Sequence, residues 1–296
     1  MSVTPVTPAD VAVPRESSRR RGFWRRVKDW PTTVKVGAAI VGLLALAALF
    51  APLIAPYGPN ELDPFALLSS PSSQHLFGTD DTGRDVFSRT LYGLRLDIVL
   101  CLLVTYVPLP FAVIVGAVAG YFGGWADTIV SRLADIMISF PFIVLVMAIV
   151  AIVGPGVEGF LIGVPLAAWA LYARLARAEM LVVREQPYMM ATTALGYSKT
   201  RAILKHGLPN VIRPCLVYST IDLIGNLILL ASLSYLGFGV QPPTAELGSI
   251  IADGQGYLLT AWWIATLPGL VLVFLGVGVG LVGEGISDRG LARGGR

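Results

Sequence analysis

Long apolar stretches alternate with short polar segments along this chain. Six stretches are long enough to be treated as membrane spans, and they cover Val34–Ile54, Ile98–Gly120, Ile136–Val153, Phe160–Ala176, Leu216–Phe238 and Trp262–Ile286. A helix needs about 20 mostly apolar residues to cross the hydrocarbon layer, because its backbone polar groups must be satisfied within the segment. The pattern, together with a hydrophobic fraction of 55%, predicts an all-α polytopic membrane protein with six transmembrane helices.

The basic residues are distributed unevenly between the polar segments. Of the 22 Lys and Arg residues, all except Arg84, Arg89 and Arg95 fall before or at the very start of the first stretch, after the second, in or beside the segment Arg174–Arg213, or after the last. These segments share one side of the membrane if there are six spans. The positive-inside rule makes that side the cytoplasm, so both termini are predicted to be cytoplasmic.

This topology divides the chain into segments. They are a basic, mostly disordered cytoplasmic tail (1–30), the first transmembrane helix (31–56), an extracytoplasmic loop (57–94), a five-helix core (95–290) containing a cytoplasmic loop (179–212), and a cytoplasmic tail (291–296).

Small residues and prolines inside the spans carry further predictions. Gly116 with Gly120, and Gly276 with Gly280, have the spacing that lets helices approach closely. Breaks or bends are predicted at Pro108, Pro110, Pro141, Pro165 and Pro268.

Asp222 and Asn226 lie near the middle of the fifth span, where polar groups are costly. Their i,i+4 spacing places them on one helix face. They either line a hydrated pathway or form a buried polar pair that locks helices together, and the sequence favours neither reading.

No motif for catalysis, for a metal or for a bound cofactor stands out. The nearest match to a phosphate-binding loop, at 196–200, lacks the glycine that must precede Lys199. The chain has two histidines and no metal-ligand spacing. The acidic cluster at 80–85 misses the calcium-loop spacing, so a solvated turn with an Asp–Arg pair is predicted there.

The segment Arg174–Arg213 is punctuated like a pair of short helices. Pro187 suits the first turn of one helix, and Gly196 suits the left-handed residue that ends it. Ser198 caps a second helix, for which Gly207 and Pro209 are the predicted stop. On that helix, Arg201 and Lys205 share one face, and Ile203 and Leu204 give an apolar contact surface. Such a helix docks in a protein groove or lies on anionic lipid.

This segment resembles the EAA loop of bacterial ABC importer permeases through Tyr188, Ala191, Gly196, Leu208, Pro209 and Asn210. Two further blocks, His75–Arg89 and Leu233–Thr244, resemble the dipeptide/oligopeptide/nickel permease family, specifically its C-type subunit. The chain departs from that family at three positions. Met190 stands where members carry glutamate, Thr192 where they carry alanine, and Leu230 where many carry glutamate.

The resemblance implies a type I ABC importer permease fold in the bacterial cytoplasmic membrane and a subunit without catalytic activity. The implied partners are a B-type permease subunit, two cytoplasmic ATPase subunits or domains that bind the ATP and Mg, an extracytoplasmic substrate-binding protein, and membrane lipid. No nucleic acid and no metal is expected, and the implied cargo is a peptide or a related small solute.

The resemblance also implies roles for individual residues. The ATPase-coupling residues are Tyr188, Ala191, Thr192, Gly196, Ser198, Lys199, Arg201, Ile203, Leu204, Lys205 and Pro209. Asp222 and Asn226 are candidates for the translocation pathway. Candidates for contact with the binding protein or partner permease are Asp80, Arg84, Asp85, Gln241, Pro242, Asp253 and Gln255. The alternative is a secondary transporter or channel without an ATPase, for which the spans offer little ionisable chemistry beyond Asp222.

Overall fold

The computed structural model describes residues 30–294, and the side chains of residues 30–285. Within that range the chain is helical and has no strand. The helices are α1 (Thr32–Leu49), α2 (Ala51–Ile54), α3 (Val86–Tyr106), α4 (Leu109–Phe122), α5 (Gly124–Ser139), α6 (Phe142–Val153), α7 (Val157–Arg184), α8 (Pro187–Ala194), α9 (Lys199–Arg201), α10 (Leu208–Tyr235), α11 (Leu247–Gly254) and α12 (Trp263–Gly294). The basic tail predicted for 1–30 lies almost wholly outside the described residues, as do the last residues of the tail predicted for 291–296.

Five of these helical segments are long and apolar enough to span a membrane, and a sixth span results if α5 and α6 count as one broken helix. The expected all-α polytopic fold is confirmed. The third predicted span, Ile136–Val153, is wrong as a single straight helix, because the chain bends by 93° between α5 and α6. Pro141 causes the break, since it lacks an N–H and disfavours helical geometry at Phe140 before it.

Two predicted boundaries also shift. The loop predicted for 57–94 ends earlier, because α3 begins at Val86. Asp85 starts this helix by accepting a hydrogen bond from the Ser88 N–H at 2.7 Å. The fourth span continues past Ala176 to Arg184, so α7 itself carries the first part of the basic segment.

The small residues of α4 set its distance from α7. A Cβ atom on Gly116 would lie 2.1 Å from the Ala173 carbonyl oxygen, and one on Gly120 would lie 2.7 Å from that of Arg177. This close approach was predicted. Gly276 and Gly280 make no such close approach within the described residues, where nothing lies within 4 Å of a Cβ at Gly276 and only Ile224 approaches Gly280.

The segment 57–85, which was predicted to be extracytoplasmic and is called the outer segment below, folds against the start of α12. The Trp263 indole donates to the Thr79 carbonyl at 3.1 Å, and buried Arg89 donates to the Pro59 carbonyl at 3.1 Å. Asp80 accepts hydrogen bonds from the backbone N–H groups of Thr82 and Arg84, both at 2.9 Å, and from Arg84 Nε at 2.6 Å. The predicted Asp–Arg pair is therefore confirmed.

The same segment is not the solvated loop that its charges suggested. Asp80 and Asp85 are 4% and 2% exposed. Asp85 is also paired with His75, whose Nδ1 lies 3.0 Å from a carboxylate oxygen. Burial is possible because each carboxylate has several hydrogen-bond donors.

Asp80 should be a stabilising anion of this outer segment. Burial raises its pKa, but the hydrogen bonds from Thr82 and Arg84 and the charge of Arg84 outweigh that effect and bring the pKa below the ordinary value of 3.8. We expect Asp80→Asn to lower the free energy of unfolding at neutral pH by about 3 kcal/mol, because Arg84 and Arg89 lose a buried partner. Denaturation of the purified full-length chain measures the change.

Exposed Asp81 supplies the matched control, since Asp81→Asn changes the same charge beside the cluster and should have a small effect. A carboxylate with a lowered pKa in the folded protein stabilises the fold at pH above its pKa in the unfolded chain. This stabilisation is lost as the pH falls through the pKa of the folded protein. The gap between wild type and Asp80→Asn should therefore close only in acid. Equal effects of the two variants at neutral pH would contradict this assignment.

Candidate functional site

The first loop helix, α8, has the predicted limits. It starts with Pro187 in its first turn and ends at Ala194. Gly196 follows with φ of +73°, the left-handed conformation that glycine adopts without strain. The Tyr197 N–H donates to the Thr192 carbonyl at 3.0 Å, which closes the turn. The local sequence signals thus predicted this helix and its end correctly.

The second loop helix begins as predicted but does not stop. Ser198 caps it by accepting a hydrogen bond from the Arg201 N–H at 3.4 Å. The chain then passes through a π-helical turn, Ala202–Gly207, directly into α10. The predicted stop at Gly207 and Pro209 is therefore wrong.

The π-helical turn explains how the helix passes a proline. Pro209 has no N–H, and its ring would collide with a carbonyl of the preceding turn in a regular α-helix. In the wider turn, the Leu208 N–H donates to the Ile203 carbonyl, five residues back. The Asn210 side chain donates to the His206 carbonyl at 2.8 Å. The loop is consequently continuous with the fifth span.

One side of the loop belongs to the protein core. Met189, Thr192, Ala202 and Ile203 are buried, and the apolar ones pack with Met180 of α7. Ile203 was predicted to face a partner, but it is only 4% exposed and packs within the chain. The prediction failed because the loop helices have an inner face that their sequence alone does not identify.

The other side presents apolar side chains to the surroundings. Tyr188, Met190, Leu195 and Leu204 are 43%, 56%, 70% and 50% exposed. We call these four residues the loop apolar patch. Ala191 and Pro209 are exposed beside them.

Two of the basic residues of this loop, Lys199 and Arg201, contact aromatic rings. The Arg201 guanidinium carbon lies 4.3 Å from the centre of the Tyr197 ring, and that ring stacks on His206. Lys199 Nζ lies 5.5 Å from the centre of the Phe122 ring. Lys205 is exposed. Cation–π contacts of this kind fix the direction of a charge as well as adding attraction.

Ion pairs connect α7, just before the loop, to α5. Arg177 donates to Asp127, with Nη2 2.7 Å from Oδ2, and a second contact joins Nε to the other carboxylate oxygen. Arg174 pairs with Asp135. Arg184, at the end of α7, donates to the Gly120 carbonyl of α4 at 3.0 Å. The end of α7 that leads into the loop is thus bonded to both α5 and α4.

Asp222 and Asn226 form a polar network where three helices meet. The Tyr172 hydroxyl of α7 donates to Asp222 at 2.8 Å. The Asn226 side chain of α10 donates to Asp222 at 3.1 Å and to Thr105 of α3 at 2.9 Å. Tyr172 and Asn226 are each 1% exposed. The contacts tie α10 to α3 and α7.

The outer candidates separate into two groups. Asp80 and Asp85 are buried and engaged within the chain, so their side chains have no free surface for another protein, and the mostly buried Arg84 pairs with Asp80. Gln241, Pro242, Asp253 and Gln255 are exposed and remain candidates for contact.

Sequence reasoning missed two buried acids, Asp97 in α3 and Glu246 at the start of α11. Asp97 could have been found from its position within an apolar helix, once the true start of α3 is known. Glu246 had no local signal for burial.

Comparison with known proteins identifies the family. The model for the binding-protein-dependent transport system inner membrane component matches residues 112–285, which is more than half of the chain. The chain belongs to this family. A second model, the N-terminal TM domain of oligopeptide transport permease C, matches residues 18–71. The expected resemblance to the C-type permease subunit is confirmed.

Relatives match this permease over most of its length. It is 37% identical to the probable D,D-dipeptide transport system permease protein DdpC of Escherichia coli, over 93% of both chains. It is 36% identical to the dipeptide transport system permease protein DppC of Alkalihalophilus pseudofirmus, covering 86% of this chain and 83% of that one. A chain of the MetNI methionine ABC transporter, inward facing, matches with 22% identity and a TM-score of 0.47 over 63% of this chain and 91% of that one.

The network around Asp222 gives a stability prediction. Tyr172→Phe removes the hydroxyl that donates to Asp222, so we expect the free energy of unfolding to fall by about 1–3 kcal/mol. Tyr218→Phe is the matched control, because its ring packs on Tyr172 and its hydroxyl has no hydrogen bond within the described residues. Denaturation of the permease in detergent measures both.

A double-mutant cycle identifies the partner. If Tyr172 acts through Asp222, the two substitutions Tyr172→Phe and Asp222→Asn should not be additive. Strict additivity, or an equal loss in Tyr218→Phe, would rule out the proposed bond as the source of the effect.

Proposed function

We propose that this chain is the permease subunit of an ATP-driven importer of peptides or related small solutes, and that it forms half of the translocation pathway. The cytoplasmic loop carries the proposal, because it is a rigid, exposed surface built between two spans of a transport-family protein. The cargo class follows the names of the relatives, which are dipeptide permeases. Family membership favours this function over a secondary transporter or channel.

The loop apolar patch is the proposed contact with a cytoplasmic ATPase. Its four side chains are exposed in the chain alone, and burying them against a groove would release water from apolar surface. Lys199, Arg201 and Lys205 are exposed on the same loop and favour an acidic rim on the partner. Met190, in place of the family's glutamate, makes the contact apolar at that position.

Motion of the ATPase would reach the spans through short connections. Glu185 and Gln186 alone separate α7 from α8, and the π-helical turn joins α9 to α10 without a gap. A displacement of the loop therefore moves α7 and α10 together, as rigid-body coupling requires. The Arg177–Asp127 pair extends the moving unit to α5.

Within this unit, we assign Asp222 and Asn226 to a polar contact that holds helices together, and not to the lining of the translocation pathway. The observation that favours this role is that Asp222 accepts bonds from both Tyr172 and Asn226. A satisfied network of this kind fixes the relative positions of helices.

The remaining partners follow from the proposed assembly. A B-type permease completes the pathway, two ATPase subunits or domains bind ATP and Mg, and this chain contributes no catalytic group or cofactor. A substrate-binding protein delivers cargo on the outer side, where Gln241, Pro242, Asp253 and Gln255 are exposed. The assembly resides in the bacterial cytoplasmic membrane together with its lipids.

A charge introduced into the loop apolar patch tests the ATPase contact. Leu204→Asp should fold, since Leu204 is 50% exposed, but it would place a carboxylate in an apolar groove with an acidic rim. We expect ATP-dependent uptake of a labelled dipeptide, measured in cells that produce the whole importer, to fall by at least about tenfold, which corresponds to about 1.4 kcal/mol.

Leu204→Met is the matched control and should retain uptake, because it keeps an apolar side chain of similar size. Immunoblotting of membranes verifies that both variants accumulate. Wild-type uptake by Leu204→Asp would refute the contact.

A further inference from the structure

Asp97 lies near the middle of α3, and the protein encloses it. Its side chain is 1% exposed, and neither carboxyl oxygen has a hydrogen-bond partner among the described residues. An ionised carboxylate withdrawn from water without partners has a free-energy cost that a folded protein rarely offsets. Such a group is expected to be neutral, with a proton bound.

The chain segment at Glu246 and Leu247 crosses α3 next to Asp97. Gly93 permits the crossing, because a Cβ atom there would lie 3.2 Å from both Glu246 Cα and Leu247 N. Asp97 is one turn further along the same face of α3. The Leu247 backbone N is among the atoms that a Cβ at Gly93 would touch, so the first amide of α11 lies beside the face that carries Asp97. Asp97 therefore points at the start of α11.

Glu246 is also fully buried, but its surroundings favour a negative charge. Its Oε1 accepts a hydrogen bond from the Gly248 N–H and its Oε2 one from the Ser249 N–H, both at 2.8 Å. These amides belong to the first turn of α11, where the helix dipole also favours an anion. Burial raises the pKa of Glu246, and the two hydrogen bonds oppose the rise.

Among the described residues, the groups around the two acids supply no positive charge. Cys101 lies one turn beyond Asp97 on α3 and is within electrostatic reach of Asp97, Glu246 and, on α10, Asp222. In the described part of the chain, neither Asp97 nor Glu246 takes part in an ion pair. Two neighbouring carboxyl groups without a cation do not ionise together. The hydrogen bonds assign the charge to Glu246 and the proton to Asp97.

We propose that Asp97 and Glu246 form a proton-binding site, in which the proton held by Asp97 at neutral pH keeps α3 packed against the start of α11. Loss of this proton in alkaline medium leaves two negatively charged carboxylates in a buried contact. Their repulsion loosens the packing of α3 against the start of α11. The site lies apart from the loop apolar patch and is independent of the ATPase contact.

Infrared spectroscopy of the full-length chain in lipid nanodiscs detects the proton directly. At neutral pH the wild type should show the carbonyl stretch of a protonated carboxylic acid that is missing from Asp97→Asn. Asparagine has the same size and no charge, so Asp97→Asn should match the wild type in thermal stability at neutral pH and exceed it in alkaline medium. An identical band in both proteins, or a less stable Asp97→Asn at neutral pH, would overturn the proposal.

Glu246→Gln tests the pairing. Removal of the neighbouring charge should move the loss of the Asp97 band to lower pH than in the wild type. An unchanged titration in this variant, or a wild-type band that persists through the alkaline range, would show that Glu246 does not act on Asp97 as proposed.

Discussion

The structure depends on one constraint, which is that backbone N–H and C=O groups must be hydrogen-bonded wherever water is absent. In the spans, long helices satisfy this requirement with their own backbone hydrogen bonds. The loop satisfies it with a less common structure. At Pro209 the missing N–H is accommodated by a π-helical turn, and the Asn210 side chain bonds the His206 carbonyl. Because no gap opens there, the loop is an extension of α10 and its position is fixed by the spans.

Local signals predicted part of this arrangement. Pro187, Gly196 and Ser198 have the same roles in the structure as in the sequence, since each acts on its own turn of the chain. Pro141 and Pro165 show where such signals stop. The first breaks a helix, whereas the second lies inside the continuous helix α7. The presence of a proline alone therefore does not separate the two outcomes.

Burial of charge was harder to predict than helix position, because it depends on partners distant in sequence. The Asp80–Arg84 pair is a local i,i+4 contact, and an Asp–Arg pair was expected within this block. The burial of Arg89 requires the Pro59 carbonyl, and Asp253 approaches Arg84 from the far end of α11. A charged sequence block therefore became an internal network instead of a solvated loop. The same dependence explains why Ile203 was assigned to a partner when it packs on the chain's own core.

The two faces of the loop have separate roles in the proposed coupling. The inner face, which includes Met189 and Ile203, fixes the loop on α7, and Gly196 fixes the angle between its helices. The outer face supplies chemistry through exposed apolar side chains and through Arg201, whose charge is directed by the Tyr197 ring. Apolar burial contributes about 25 cal/mol for each Å² removed from water, whether or not an ionic contact accompanies it. Met190 in place of a glutamate thus changes the chemistry of the contact at one position, and the geometry set by the inner face is unaffected.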